Sequence, residues 1–148
     1  MLLLDTHALL WWLADDPALS PAARAAMAAG QTPVFVSAAS AWEISIKRAQ
    51  GKLDSPDDLE AELVRHRFQS LPITVAHALV AGGLPRHHRD PFDRMLIAQA
   101  QLHQLTVVTH DPRFALYGVP MLWTCAAAVA ARAWSRRRSR WHAGRATR

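Results

Sequence analysis

At 148 residues the chain suits one compact domain and leaves little room for two that fold independently. Hydrophobic residues at 51% and charged residues at 20% exclude a disordered chain, while the lone cysteine, Cys125, excludes an intrachain disulfide and a cysteine-based zinc site. The net charge of +5 is local, since residues 1–125 carry ten Lys plus Arg against twelve Asp plus Glu and residues 126–148 carry seven Arg and no acid.

In chain order, Leu2 to Leu4 is the first of four short apolar runs that read as buried strands. No basic residue precedes it, and Asp5 and His7 interrupt it, which argues against a signal peptide. A helix is predicted over Thr6 to Ala14, with Leu9, Trp12 and Leu13 at helical spacing. Ser20 and Pro21 then start a helix that runs to Ala29 and stops at Gly30. The second strand, Pro33 to Val36, leads through Ser37 into a helix over Ala38 to Gln50. A further helix is expected over Pro56 to Phe68, opened by Asp57 and Asp58, and a weak strand over Leu71 to Thr74. The helix from Pro91 to His103 carries Met95, Ala98, Leu102 and Leu105 as an apolar stripe, and strands follow at Thr106 to Thr109 and Val119 to Trp123.

Continuous apolar strands alternating with helices indicate an α/β fold with a mostly parallel sheet covered on both faces. Ligands of such sheets bind beyond the carboxyl ends of the strands, so chemistry is expected just after an apolar run. The uncharged stretch from Phe114 to Ala131, followed by arginines, superficially resembles a membrane anchor. Gly118, Pro120, Thr124 and the many alanines favour a short strand followed by an Ala-rich helix, and a cytoplasmic protein without membrane association is expected.

Four acids stand where a parallel sheet would present its chemistry. Asp5 directly follows the first strand and Asp111 follows the Thr106 to Thr109 strand. Glu43 lies two turns into its helix, and Asp93 lies in a first turn, on the side of Leu96, Ile97 and Ala100. Structural roles also fit these residues: Asp90 and Asp111 precede prolines as caps do, Asp93 suits the helix dipole, and Glu43 can pair with Lys47. Asp5 is the hardest to dismiss, because a carboxylate closing an apolar strand is seldom there for solvation. If all four converge, two charges about 4 Å apart repel by roughly 4 kcal/mol at an effective dielectric of 20. A hard divalent cation, Mg²⁺ or alternatively Mn²⁺, would offset that, and such sites commonly serve phosphodiester hydrolysis.

Four segments together carry a resemblance: Leu2-Leu3-Leu4-Asp5-Thr6-His7, Val36-Ser37 through Trp42-Glu43-Ile44, His87 through Ala100, and Val107-Val108-Thr109-His110-Asp111. In this order and spacing, over residues 1–123, the chain resembles PIN-domain ribonucleases of the VapC toxin type. The resemblance implies a three-layer sandwich with a central sheet of four or five strands, spanning residues 1–125. It also implies that Asp5, Glu43, Asp93 and Asp111 form an acidic quartet for Mg²⁺, with Asp5 and Asp93 as direct metal ligands. Thr6 and Thr109 resemble supporting hydroxyls, and Asp90 belongs to the same motif as a cap or outer acid. Arg89 and Arg94, with His87 and His88, lie where RNA phosphates could be met or where a loop is simply solvated. Further implied are an RNA substrate, an antitoxin that occupies the groove, and a homodimer.

The stretch 126–148 departs from the family pattern. Its seven arginines, interleaved with Trp134 and Trp141, could grip RNA, or the segment is a poorly ordered tail without a role of its own. A non-catalytic nucleic-acid-binding module that uses this tail is therefore the competing class. Aspartyl-phosphate chemistry fits poorly, because a phosphatase of that type wants a second Asp two residues after Asp5, where His7 stands.

Overall fold

The computed structural model describes residues 1–124, and the expected tail at 126–148 lies outside the described residues. In chain order the elements are β1 (Leu2–Leu4), α1 (Thr6–Leu13), α2 (Pro21–Ala28), β2 (Val34–Ser37), α3 (Ala38–Ala49) and α4 (Leu59–Arg65), followed by β3 (Gln69–Leu71), α5 (Val75–Gly83), α6 (Pro91–His103) and β4 (Thr106–Thr109). A 3₁₀ helix (Pro112–Tyr117) and β5 (Met121–Trp123) complete them.

The five strands form one sheet in the order β3-β2-β1-β4-β5, and every pairing is parallel. Alternation of side chains along β1 divides the core in two. Leu2 and Leu4 join Val34, Val36 and Val108 beneath α1 and α2, packing on Leu9, Trp11, Leu19 and Met27. Leu3 and Val107 face the other way, onto Leu96, Ile97, Ala100 and Phe114. The result is the three-layer α/β sandwich, with the sheet covered on both faces as its uninterrupted apolar strands require. All carboxyl ends point to one edge.

Several boundaries differ from the sequence expectation for local reasons. The weak strand sits at Gln69–Leu71 rather than 71–74, since Pro72 cannot donate to a ladder and Thr74 instead caps α5. Helix α4 starts later than Pro56 because the side chain of Asp58 accepts from the Ala61 amide and caps it there. In α6 the buried face centres on Leu96, Ile97 and Ala100; of the expected stripe Ala98 and Leu105 are buried, whereas Leu102 is 46% exposed. Among the described residues no helix is long and apolar enough to cross a membrane.

Arg94 is a structural clamp in the α5–α6 connection. Its two Nη atoms donate to the carbonyls of Pro85, His88, Ala81, Gly82 and Leu84 at 2.7–3.3 Å, tying the α5–α6 connection to α6. Carbonyls of a segment that turns back without a ladder need such a donor, and a forked guanidinium reaches several at once. Arg94→Ala is expected to destabilise the fold by about 2–3 kcal/mol, the scale of lost hydrogen bonds to a charged group, and Arg94→Lys to recover only part. Urea denaturation of both variants measures this; an unshifted midpoint in Arg94→Ala would contradict the clamp.

Candidate functional site

Asp5 ends β1 and begins α1. Its amide still donates to Val108 O at 3.1 Å, continuing the ladder, while its Oδ1 accepts from the Ala8 amide at 2.7 Å as the helix cap. Held by backbone on both sides, the carboxylate is 4% exposed at the carboxyl edge of the central strand. Ser37 caps α3 in the same way at the end of β2, and this sets Glu43 two turns on, buried and facing the same edge. Thr6 Oγ1 donates to Glu43 Oε2 at 2.6 Å, and Lys47 Nζ contacts Glu43 Oε1, so both oxygens of Glu43 are oriented.

The other side of the cleft comes from α6 and the turn after β4. Asp90 Oδ1 accepts from the Phe92 amide at 2.8 Å and caps α6, which places Asp93 in the first turn. Thr109 Oγ1 accepts from the Asp111 amide at 3.0 Å, and Asp111 caps the 3₁₀ helix by accepting from the Arg113 amide at 2.9 Å. The Arg113 guanidinium covers both Asp111 oxygens at 2.6–3.0 Å. Every one of these acids but Glu43 and Asp93 is therefore a cap as well as a member of the cluster, and Glu43 forms the expected i,i+4 pair with Lys47.

Together Asp5, Glu43, Asp90, Asp93 and Asp111 line one cleft of about 510 Å³, joined by Thr6, Lys47, Arg89 and Arg113. Thr109 is fully buried behind Asp111, and Arg94 is absent from the lining. Burial pushes the Asp93 carboxyl up to about 8, and the charges of Asp90, Asp5, Glu43 and Asp111 add to the effect. Burial acts on Asp111 in the same direction, but hydrogen bonds from Arg113 and His88 outweigh it and hold Asp111 well below the usual carboxylate range.

Three histidines belong to the site beyond the expected acids. His88 was the least visible in sequence, since a loop between Pro85 and Pro91 reads as solvated, yet its side chain is almost fully buried. Its amide donates to Tyr117 Oη at 2.6 Å, and its Nδ1 accepts from the Asp90 amide at 3.2 Å, which leaves the proton of a neutral ring on Nε2. Nε2 lies 3.0 Å from both Asp93 Oδ2 and Asp111 Oδ2. One N–H cannot serve two carboxylates fully; the ionised Asp111 takes it, and Asp93 is left to hold its proton. His7 and His110 flank Asp5, with His110 Nδ1 3.8 Å from Asp5 Oδ2. Burial lowers the pKa of His7 against the pull of Asp5, and His110 and Lys47 lower it further.

A parallel α/β sheet with a five-carboxylate cleft at its carboxyl edge defines a cation-attracting site of the hard-oxygen type. The family profile of the PIN domain matches residues 2–120, and the chain belongs to that family. No curated protein sequence matches the chain significantly. Among solved structures, it is similar in fold to DNA-bound VapBC from Salmonella typhimurium, with a TM-score of 0.61 and 20% identity over 84% of this chain and 98% of that one. VapBC2 from Rickettsia felis, bound to a promoter DNA fragment, aligns with a TM-score of 0.60 and 13% identity over 82% and 97% of the two chains. A toxin-antitoxin complex from Klebsiella pneumoniae aligns with a TM-score of 0.58 and 20% identity over 82% and 96%.

Proposed function

We propose that this chain is a divalent-metal-dependent endoribonuclease of the VapC type, the toxin of a toxin-antitoxin pair, using Mg²⁺ or alternatively Mn²⁺. The convergence of Asp5, Glu43, Asp93 and Asp111 in one cleft carries this reading. Membership of the PIN family and fold similarity to toxin-antitoxin complexes support it.

The donor set fits the ion. Burial first, and the neighbouring carboxylates after it, push Asp93 up to about 8, and a hard divalent cation offsets the cost of holding these acids charged together. Asp5 and Asp93 are assigned as direct ligands, with Glu43 and Asp111 completing the acidic shell. When bound, the ion supplies Lewis-acid polarisation of the phosphodiester and a more acidic water. The protein's own groups prepare that site: Thr6 and Lys47 fix Glu43, and Thr109 and Arg113 fix Asp111. Arg89, at the cleft wall, meets substrate phosphates.

An antitoxin segment that fills the cleft, a homodimer and a cytoplasmic location complete the proposal. Its domain plan is a nuclease unit over 1–125 with the Arg/Trp tail appended. The test is incubation of the purified chain with a labelled structured RNA while Mg²⁺ or Mn²⁺ is titrated. Discrete cleavage that appears with the ion and stops with EDTA is expected. RNA binding without cleavage at any ion concentration would instead favour a nucleic-acid-binding module built on the basic tail.

A further inference from the structure

The carboxylates are not the whole donor set of the cleft. Asp5, His7 and His110 each offer one ligand atom, and these atoms lie within 4.8 Å of one another. His110 Nδ1 is shielded from solvent and has no hydrogen-bond partner. Its 3.8 Å separation from Asp5 Oδ2 is too long for a hydrogen bond. With metal–nitrogen and metal–oxygen bonds of about 2.0–2.1 Å, two ligands on one tetrahedral ion stand roughly 3.3 Å apart, so a small side-chain adjustment closes the gap.

Packing holds both rings in place. The imidazoles of His7 and His110 meet edge-to-face at 4.9 Å, and the Trp11 ring lies 5.0 Å from His110 and 5.9 Å from His7. His88 offers a contrast. Its Nε2 is committed to two carboxylates and its Nδ1 to the Asp90 amide, so it has no lone pair directed at the cleft without breaking contacts already made.

We propose that Asp5, His7 and His110 form a second cation site, of mixed nitrogen and oxygen donors, that takes a borderline first-row transition ion such as Zn²⁺ or Co²⁺. Two imidazoles and one carboxylate match the preference of such ions and not that of Mg²⁺. Three protein ligands leave a coordination position for water or a phosphate oxygen. The site shares only Asp5 with the proposed Mg²⁺ set, so it stands or falls on nitrogen ligation and not on nuclease activity.

The test uses the untagged full chain and metal alone. Calorimetric titration with Zn²⁺ and Mg²⁺, and visible absorption with Co²⁺, are compared for wild type, His110→Ala and His103→Ala, the last removing half of a separate histidine pair whose Nε2 atoms are 2.8 Å apart. His110→Ala is expected to weaken Zn²⁺ binding at least tenfold and leave Mg²⁺ affinity within twofold, and His103→Ala to change neither. Unaltered Zn²⁺ affinity in His110→Ala overturns the site. If that variant fails to fold, imidazole ¹⁵N shifts of the wild type decide: Zn²⁺ must move the His7 and His110 signals, and shifts confined to other histidines overturn it. RNA cleavage is not read in either arm, so failure of the nuclease proposal gives a separate result.

Discussion

Asp5→Asn is expected to reduce metal-dependent RNA cleavage by at least about 10²–10³-fold while the protein stays folded. A ligand of the ion contributes several kcal/mol to transition-state charge stabilisation, and each 1.4 kcal/mol is about tenfold in rate. The choice of asparagine matters because Asp5 caps a helix besides its proposed place in the metal site. Its Oδ1 caps α1 through the Ala8 amide, and the amide oxygen of asparagine keeps that bond. Asp5→Ala loses the cap too, at about 1 kcal/mol, so its thermal midpoint is expected below that of Asp5→Asn at equal loss of cleavage. Single-turnover cleavage and a melting curve on both variants make the comparison. Cleavage within tenfold of wild type in Asp5→Asn would remove Asp5 from the metal site.

The second large effect is a stability that falls with rising pH when metal is withheld. Asp93 has a folded pKa of about 8, raised by burial and by the surrounding acids, against about 3.9 for an ordinary aspartate. Below pH 4 both folded and unfolded chains hold the proton, and no penalty exists. Between 4 and 8 the unfolded chain releases it and the folded chain keeps it, so stability declines across that window and the full cost is present above 8. Asp111 works in the opposite sense: its depressed pKa stabilises the fold above the ordinary carboxylate range, and that contribution is lost on acidification. Urea unfolding in EDTA is expected to show about 2 kcal/mol less stability at pH 8.5 than at pH 6, with Asp93→Asn losing most of that difference. On the proposed function Mg²⁺ at pH 8.5 should restore the wild type, since an ion that binds the folded cleft and not the unfolded chain stabilises the fold. A wild-type profile as flat as that of Asp93→Asn would show that burial and the neighbouring acids do not raise the Asp93 carboxyl.

Much of this was readable from the chain because the informative residues sit at transitions. Strands β1 and β2 and the Val107-Val108 centre of β4 are apolar, and a carboxylate or serine at the strand's end or within two residues of it both caps the next helix and marks the sheet edge. Asp93 was legible by its spacing from Leu96, Ile97 and Ala100, which are buried as that spacing requires. Helix α5 was missed because its pattern carries little core: His77 and Ala81 are buried, whereas Val75 and Leu79 are 78% and 72% exposed. Its apolar residues therefore do not trace an inward stripe. The partners of His88 and Arg94 were hidden in the sequence for a related reason. Both act through backbone groups of the 84–90 loop, and nothing in residue type foretells which carbonyls a guanidinium will collect.

The central position of β1 has a consequence for how the molecule is made. Its neighbours are β2, which follows within about thirty residues, and β4, which is translated more than a hundred residues later. During synthesis a growing chain thus carries Asp5 at the end of a half-paired strand and Glu43 on α3, and the opposite wall of the cleft arrives only with Asp93 and Asp111. The cleft is therefore assembled only once the chain has been made through Asp111, and a nascent polypeptide shorter than that holds half of the acid cluster.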